Sequence, residues 1–185
     1  FRDDAASPDT FALSDDRLVR DDAGFYHATR ENFARIERVA DHWLVHRTNG
    51  EKQWFGATAD SRIANAQGAT FRWYLSRSED PTGNYVAYEY ATAAETGDAG
   101  NAYLERVSYS FAGDTALASA TIRTVELATE PRPDPTLAFR AGIRIDATRR
   151  LDRVDVRYGG RLVSRYDLVY ADEEGAAPAS RGCCR

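Results

Sequence analysis

Trp73-Tyr-Leu-Ser-Arg-Ser-Glu-Asp-Pro-Thr-Gly-Asn-Tyr-Val-Ala-Tyr-Glu-Tyr90 holds two alternating, aromatic-rich arms around an acidic turn, Glu79-Asp-Pro-Thr-Gly-Asn84. Along the first arm Phe71, Trp73 and Leu75 fall on one face, and Arg72, Tyr74 and Ser76 on the other. Along the second, Val86, Tyr88 and Tyr90 oppose Tyr85, Ala87 and Glu89. Side chains of a strand alternate with period two, and Pro, Gly and Asn interrupt strands, so the stretch predicts a β-hairpin.

The same grammar runs outward in both directions. Trp43-Leu-Val-His-Arg-Thr48 and Glu51-Lys-Gln-Trp-Phe55 are joined by Asn49-Gly50, the strongest short hairpin signal. Residues 56–69 and 92–101 read as loops, and 103–111 as a strand. Residues 120–127 read as a weaker strand ended by Glu130-Pro-Arg-Pro-Asp-Pro135, which its three prolines make extended and unpaired. A short strand follows at 139–145. The last hairpin is 151–158, a Gly159-Gly160 turn, and 161–170, with Leu162, Tyr166, Leu168 and Tyr170 in phase.

Toward the start, Leu18-Val19 precedes an Asp21-Asp-Ala-Gly24 turn and an extended Phe25-Tyr26-His27. Residues 29–40 fit either a helix, by Phe33, Ile36 and Val39, or a strand; their all-β surroundings favour the strand. The expectation is an irregular segment at 1–10, one β domain over 11–171, and a disordered tail over 172–185. Eight to ten strands with hairpin connections and little helix make an all-β, antiparallel hairpin strip.

At 185 residues the chain suits one domain or a slice of something longer. Phe1 stands first and no methionine occurs, so it reads as a piece of a larger product. A net charge of −5 and a pI near 5.3 argue against a general nucleic-acid binder. Lys52 is the only lysine, and the arginines are scattered among aspartates as on a solvated sheet face. No run approaches the ~20 apolar residues of a membrane span. Cys183 and Cys184 are adjacent, a spacing that bridges only with strain and is short of a zinc set.

The chemistry-bearing residues form no convincing constellation. In a strand His42 and His46 point the same way but lie roughly 13 Å apart at about 3.3 Å per residue, too far for a metal pair. No Gly-x-Ser-x-Gly elbow, phosphate-cradling glycine loop or Glu-x-Glu pair of an arginine-directed ADP-ribosyltransferase occurs. Glu79 and Asp80 sit beside aromatics, as a glycosidase pair would, yet acids at a hairpin turn ordinarily bind turn amides. No catalytic, cofactor-binding or metal residue is therefore assigned. The residues singled out are structural: Trp43, Asn49, Gly50, Trp54, Trp73, Asp80, Gly83, Asn84, Tyr88, Tyr90, Gly159, Gly160, Tyr166 and Tyr170.

Several of these words fall in a familiar order: Trp43…Thr48-Asn-Gly50…Trp54-Phe-Gly56, Ser61-Arg62-Ile63, Trp73-Tyr-Leu75, Glu79-Asp-Pro-Thr-Gly-Asn84, Tyr88-Glu-Tyr90, Glu130-Pro-Arg-Pro-Asp134 and Arg165-Tyr-Asp-Leu-Val-Tyr170. Over about residues 11–171 the chain resembles the SpvB-type region shared by the virulence-plasmid B protein and the B component of insecticidal toxin complexes (Tc or ABC toxins). The resemblance implies a non-enzymatic wall segment of a hollow β-shell related to Rhs/YD repeats. Such a shell encloses a partner's cytotoxic segment. The implied partners are the rest of the B-component chain, an Rhs-type C component and, indirectly, the A translocation component. The implied setting is a secreted complex assembled in the bacterial cytoplasm, with no cofactor, nucleic acid or membrane span. The alternative is a secreted carbohydrate- or peptide-binding β module using Trp43, Trp54, Trp73, Tyr74 and Tyr85.

Overall fold

Asn49 and Gly50 turn the chain between β5 (His42–His46) and β6 (Lys52–Phe55). The amide of Arg47 donates to the Glu51 carbonyl (2.8 Å), and Asn49 Oδ1 accepts the Glu51 amide (3.0 Å). Gly50 has φ +83°, and a Cβ there would lie 2.9 Å from Pro81 Cγ. The turn residue therefore has two reasons to be glycine. In this computed structural model the described residues are 10–65, 67–112, 122–140 and 142–170. The expectations for residues 1–9, for the tail over 172–185 and for Cys183 and Cys184 lie outside them.

The strands before this hairpin are β1 (Ala12–Leu13), β2 (Asp16–Arg20), β3 (Tyr26–Ala28) and β4 (Arg35–Val39). After it come β7 (Arg62–Ala64), β8 (Thr70–Trp73), β9 (Leu75–Glu79), β10 (Asn84–Ala91), a one-turn helix α1 (Ala93–Thr96), β11 (Tyr103–Ala112), β12 (Arg123–Arg140), β13 (Ile143–Tyr158) and β14 (Arg161–Asp167). Twelve of these strands form one antiparallel sheet in chain order, interrupted only where β9 pairs with β6. The excursion β7–β8 is a separate two-stranded sheet. The fold is all-β and antiparallel, and residues 35–39 are strand. The described residues hold fourteen strands rather than eight to ten, because several single runs divide.

The divisions have local causes. The expected first arm of the central hairpin, from Phe71 to Ser78, changes sheets at Tyr74. The Tyr74 amide donates to the Ser61 carbonyl (2.8 Å) and its carbonyl accepts the Gly56 amide (2.8 Å), so the residue ties both sheets together. The expectation that prolines end a strand after Leu127 is also corrected. β12 runs from Arg123 to Arg140, and its ladder to β13 shifts register after Ala128 and skips from Pro131↔Arg149 to Thr136↔Ala147. The run is extended, but it interrupts the pairing without stopping the strand. Residues 139–145, read as one strand, instead straddle the turn joining β12 to β13.

The buried cluster lies entirely in the first half of the sheet: Leu18, Ala28, Ala34, Ile36, Trp43 and Val45. Trp43 meets Phe11, Tyr26 and Trp73 edge-on, with ring centroids 4.9, 5.0 and 6.0 Å apart. Trp73 ends β8, so the small sheet is drawn over this core by one ring, whose Nε1 also donates to the Asp41 carbonyl (2.8 Å). Edge-to-face rings add to the area they bury. Replacing Trp43 with Ala is expected to lower unfolding free energy by about 3–5 kcal/mol. Leu162→Ala, on exposed β14, should stay within about 0.5 kcal/mol of the parent. Urea titration followed by near-ultraviolet circular dichroism checks both.

Candidate interaction surface

Beyond β9 the sheet changes character. Register sorts its side chains into two faces. On one, Glu89, Arg106, Glu126, Asp155 and Arg165 stand side by side across β10 to β14. On the other, Tyr88, Val107, Val125 and Val156 form one row, and Leu127, Val154 and Tyr166 form the next. Most of these apolar side chains are only half-buried. Among the described residues β14 has no outer neighbour, and Val163 (62 %) and Tyr166 (61 %) are largely exposed.

The charged face is a network centred on Asp155, which is only 3 % exposed. Arg165 grips it through two bonds, Nε to Oδ1 (2.7 Å) and Nη2 to Oδ2 (2.8 Å). Arg157 (3.3 Å) and Arg153 (3.6 Å) approach the same carboxylate, and Arg157 also pairs with Glu126 (2.7 Å). The hydrogen bonds from Arg165, reinforced by the surrounding positive charge, hold the Asp155 carboxyl below its ordinary pKa.

A second clamp seats the loop after α1 on β13. Asp98, 2 % exposed, accepts from the Thr148 amide (2.8 Å), Thr148 Oγ1 (2.6 Å) and the Tyr103 hydroxyl. Burial opposes its ionisation, but these donors outweigh burial and its pKa is lowered. The Tyr103 hydroxyl is shifted upward by burial and by that same bond. Gly100 lies so close that a Cβ would fall 2.2 Å from the Arg144 carbonyl oxygen.

The residues singled out in the sequence divide into turns and packing aromatics and do not converge on one place. Asp80 Oδ1 accepts from the amides of Thr82 (2.8 Å) and Asn84 (2.9 Å), and Oδ2 from Asn84 Nδ2 (2.8 Å). These bonds, led by the Asn84 and Thr82 side chains, lower its pKa to about 2. Gly83 (φ +88°) closes this turn, donating to the Asp80 carbonyl (3.0 Å), and Gly159 and Gly160 (φ +54° and +78°) close that of β13–β14. Trp43 and Trp73 belong to the core. Trp54 lies under the Arg77 guanidinium (5.1 Å), which also covers Tyr85 (4.0 Å), itself stacked on Phe111 (4.7 Å). Tyr88 is half-buried, and burial raises its pKa. Tyr90 stacks on Tyr74 and donates to the Leu75 carbonyl (2.7 Å). Tyr166 is open to solvent, while Tyr170 lies under Arg150 (4.0 Å) and donates to the Leu151 carbonyl (2.5 Å). With Trp43 buried, perpendicular to Trp73 (88°), and Trp54 beneath a guanidinium, the three tryptophans present no shared flat platform.

No group of three or more His, Cys, Asp or Glu among the described residues is arranged to hold a metal, and none of their helices is long and apolar enough to cross a membrane. Sequence reading assigned no pairing to Asp98, Asp155 or Arg165. Asp155 and Arg165 flank the Gly159-Gly160 turn, but a one-residue register shift after Val156 sets their pairing. Without that bulge Asp155 would face Ser164.

The family described as "SpvB: Salmonella virulence plasmid 65kDa B protein" matches residues 24–123, more than half of the chain. The chain belongs to the SpvB family. It is similar to the mono(ADP-ribosyl)transferase SpvB of Salmonella typhimurium, and likewise to that of Salmonella choleraesuis, at 38% identity over 78 residues. The match covers 38% of this chain and 13% of either relative, so the chain spans only a small part of their length. Among solved structures it is similar to the N-terminal domain of effector protein SpvB from Salmonella typhimurium strain LT2. That likeness has a TM-score of 0.61 and 20% identity, over 88% of this chain and 74% of that one. A chain of the Photorhabdus luminescens Tc holotoxin pore gives a TM-score of 0.59 at 18% identity, over 77% of this chain and 9% of that one. At these identities the SpvB-family chain shares the fold of both.

Two outcomes follow from the geometry. Asp80 is more acidic folded than unfolded, so its contribution is complete above its ordinary pKa of 3.8 and fades as pH falls toward about 2. Amide resonances of Thr82, Gly83 and Asn84 should shift over that window, and Asp80→Ala should abolish the transition. Asp155→Ala removes the acceptor shared by three guanidiniums. Hydrogen exchange read by mass spectrometry should accelerate in β13 and β14 and stay unchanged in β4 to β6.

Proposed function

We propose that this chain is a structural segment of a bacterial toxin-complex B component. In this reading it is one stretch of a hollow β-shell that encloses and delivers a partner's cytotoxic segment. The observation that carries the reading is the half of the sheet beyond β9, which among the described residues holds no large buried cluster and ends on a strand with no outer neighbour. A self-sufficient β domain covers or blunts such surfaces, whereas a wall finds its second neighbour in adjoining chain. The SpvB-family match and the shared fold with a chain of the Tc holotoxin pore support this assignment.

The segment catalyses nothing itself. Its partners are the adjoining parts of its own B-component chain, an Rhs-type C component and, indirectly, the A translocation component, in a secreted complex assembled in the bacterial cytoplasm. In the full-length B component, Val163→Lys with Tyr166→Lys should reduce co-purification with the C component at least tenfold. The near-ultraviolet signal of the Trp43 cluster should persist. Undiminished co-purification would show that β14 is no structural joint, and transfer of ADP-ribose by this chain alone would refute the non-enzymatic assignment.

A further inference from the structure

A cavity of about 470 Å³ opens beside the aromatic core, between β1 and the end of β8. Its floor is Trp43, and Phe11, Phe55, Phe71 and Trp73 supply further apolar lining. That volume lies within the roughly 300–1,000 Å³ of sites that take small organic ligands, and an apolar lining with few polar groups is their usual composition. The charged groups of the described lining have one sign. Among the described residues Arg72 and Arg140 line the cavity and no Asp or Glu does, although acidic residues outnumber basic ones in the chain by 29 to 24.

Neither arginine is neutralised by a carboxylate among the described residues. Arg72 donates to the Tyr74 hydroxyl (3.2 Å) and lies over the Phe71 and Tyr74 rings. Arg140, exposed at the end of β12, has no partner among the described residues. Arg38 adds a third guanidinium beside the floor, 5.3 Å from the Phe11 ring and 5.8 Å from Trp43, again without a carboxylate. Elsewhere the guanidiniums of Arg106, Arg150, Arg157 and Arg165 all meet acids.

We propose that this cavity binds a small amphipathic organic anion, its flat or acyl body on Trp43 and its carboxylate, sulfonate or phosphate on Arg72 and Arg140. The apolar walls supply burial, and the unpaired guanidiniums supply charge-assisted bonds and the preference for an anion. This site is independent of the β14 edge and of the shell assignment.

The test uses two fluorescent probes of nearly the same shape, 8-anilinonaphthalene-1-sulfonate and the uncharged N-phenyl-1-naphthylamine, titrated into the whole chain. The sulfonate should bind at one saturable site and quench tryptophan emission. Arg72→Gln with Arg140→Gln should weaken it about tenfold or more, as loss of charge-assisted bonds implies. The neutral probe should stay within about twofold, which also reports that the cavity is still folded. Leu13→Trp, from the face of β1 that packs on the core and lines the cavity, should displace both probes. Sulfonate binding unchanged in the arginine variant overturns the proposal. So does equal weakening of both probes in that variant, or binding indifferent to Leu13→Trp, which would place the dye on the uncovered sheet.

Discussion

A sheet with little buried apolar surface cannot be held together by burial alone, and that constraint governs the described residues after β9, where Ala102 and Ile145 are the buried hydrophobic residues. What remains is the backbone ladder and the side chains paired across it. Single exposed ion pairs contribute about 0–1 kcal/mol, so a row of isolated bridges would do little. Here one carboxylate gathers three arginines, and Glu126 is shared between Arg106 and Arg157. A shared partner fixes several side chains at once and makes sliding costly, because a one-residue slip would carry the charged row to the apolar face. The row then connects to the true core through β9, which pairs with β6 on one side and β10 on the other.

Much of this was legible because local chemistry and global pairing agree. Asn49-Gly50 and Gly159-Gly160 sit in turns, and the strands around them alternate as the pleat demands. The failures share a different cause. Nothing in the Phe71-to-Leu75 alternation reveals that Tyr74 spends its amide on Ser61 and its carbonyl on Gly56, since those partners come from a distant loop. The Asp155–Arg165 bond hides behind a bulge that local residue preferences do not announce. Asp98 lies in a loop rich in small and polar residues, and only the arrival of Thr148 from β13 makes it a clamp. The cavity was equally out of reach, because its aromatic lining reads as ordinary core in the sequence.

The open strand itself is not a featureless adhesive edge. Along β14, Arg161, Arg165 and Asp167 interrupt Leu162, Val163 and Tyr166, and the ladder to β13 carries a bulge at Val163. Charges and bulges are the devices that stop an edge from pairing with any passing strand. Combined with exposed apolar side chains, they would make such an edge selective for a strand of matching register. That selectivity suits a joint completed by one particular neighbour.

The proline run shows the same logic on the opposite side of the ribbon. β11 pairs with β12 only from Arg123 to Glu126, so beyond Leu127 the outer edge of β12 has no strand beside it among the described residues. An unpaired edge of that length would offer a row of donors to other chains. Pro131, Pro133 and Pro135 have no amide hydrogen to offer, and the ladder to β13 skips over residues 132–135, so that Pro131 alone of the three keeps a ladder position. The prolines are therefore placed where they cost the inner ladder little and deny the outer edge its donors. One edge of the ribbon is thus blunted by chemistry, while the other, at β14, has no outer strand among the described residues.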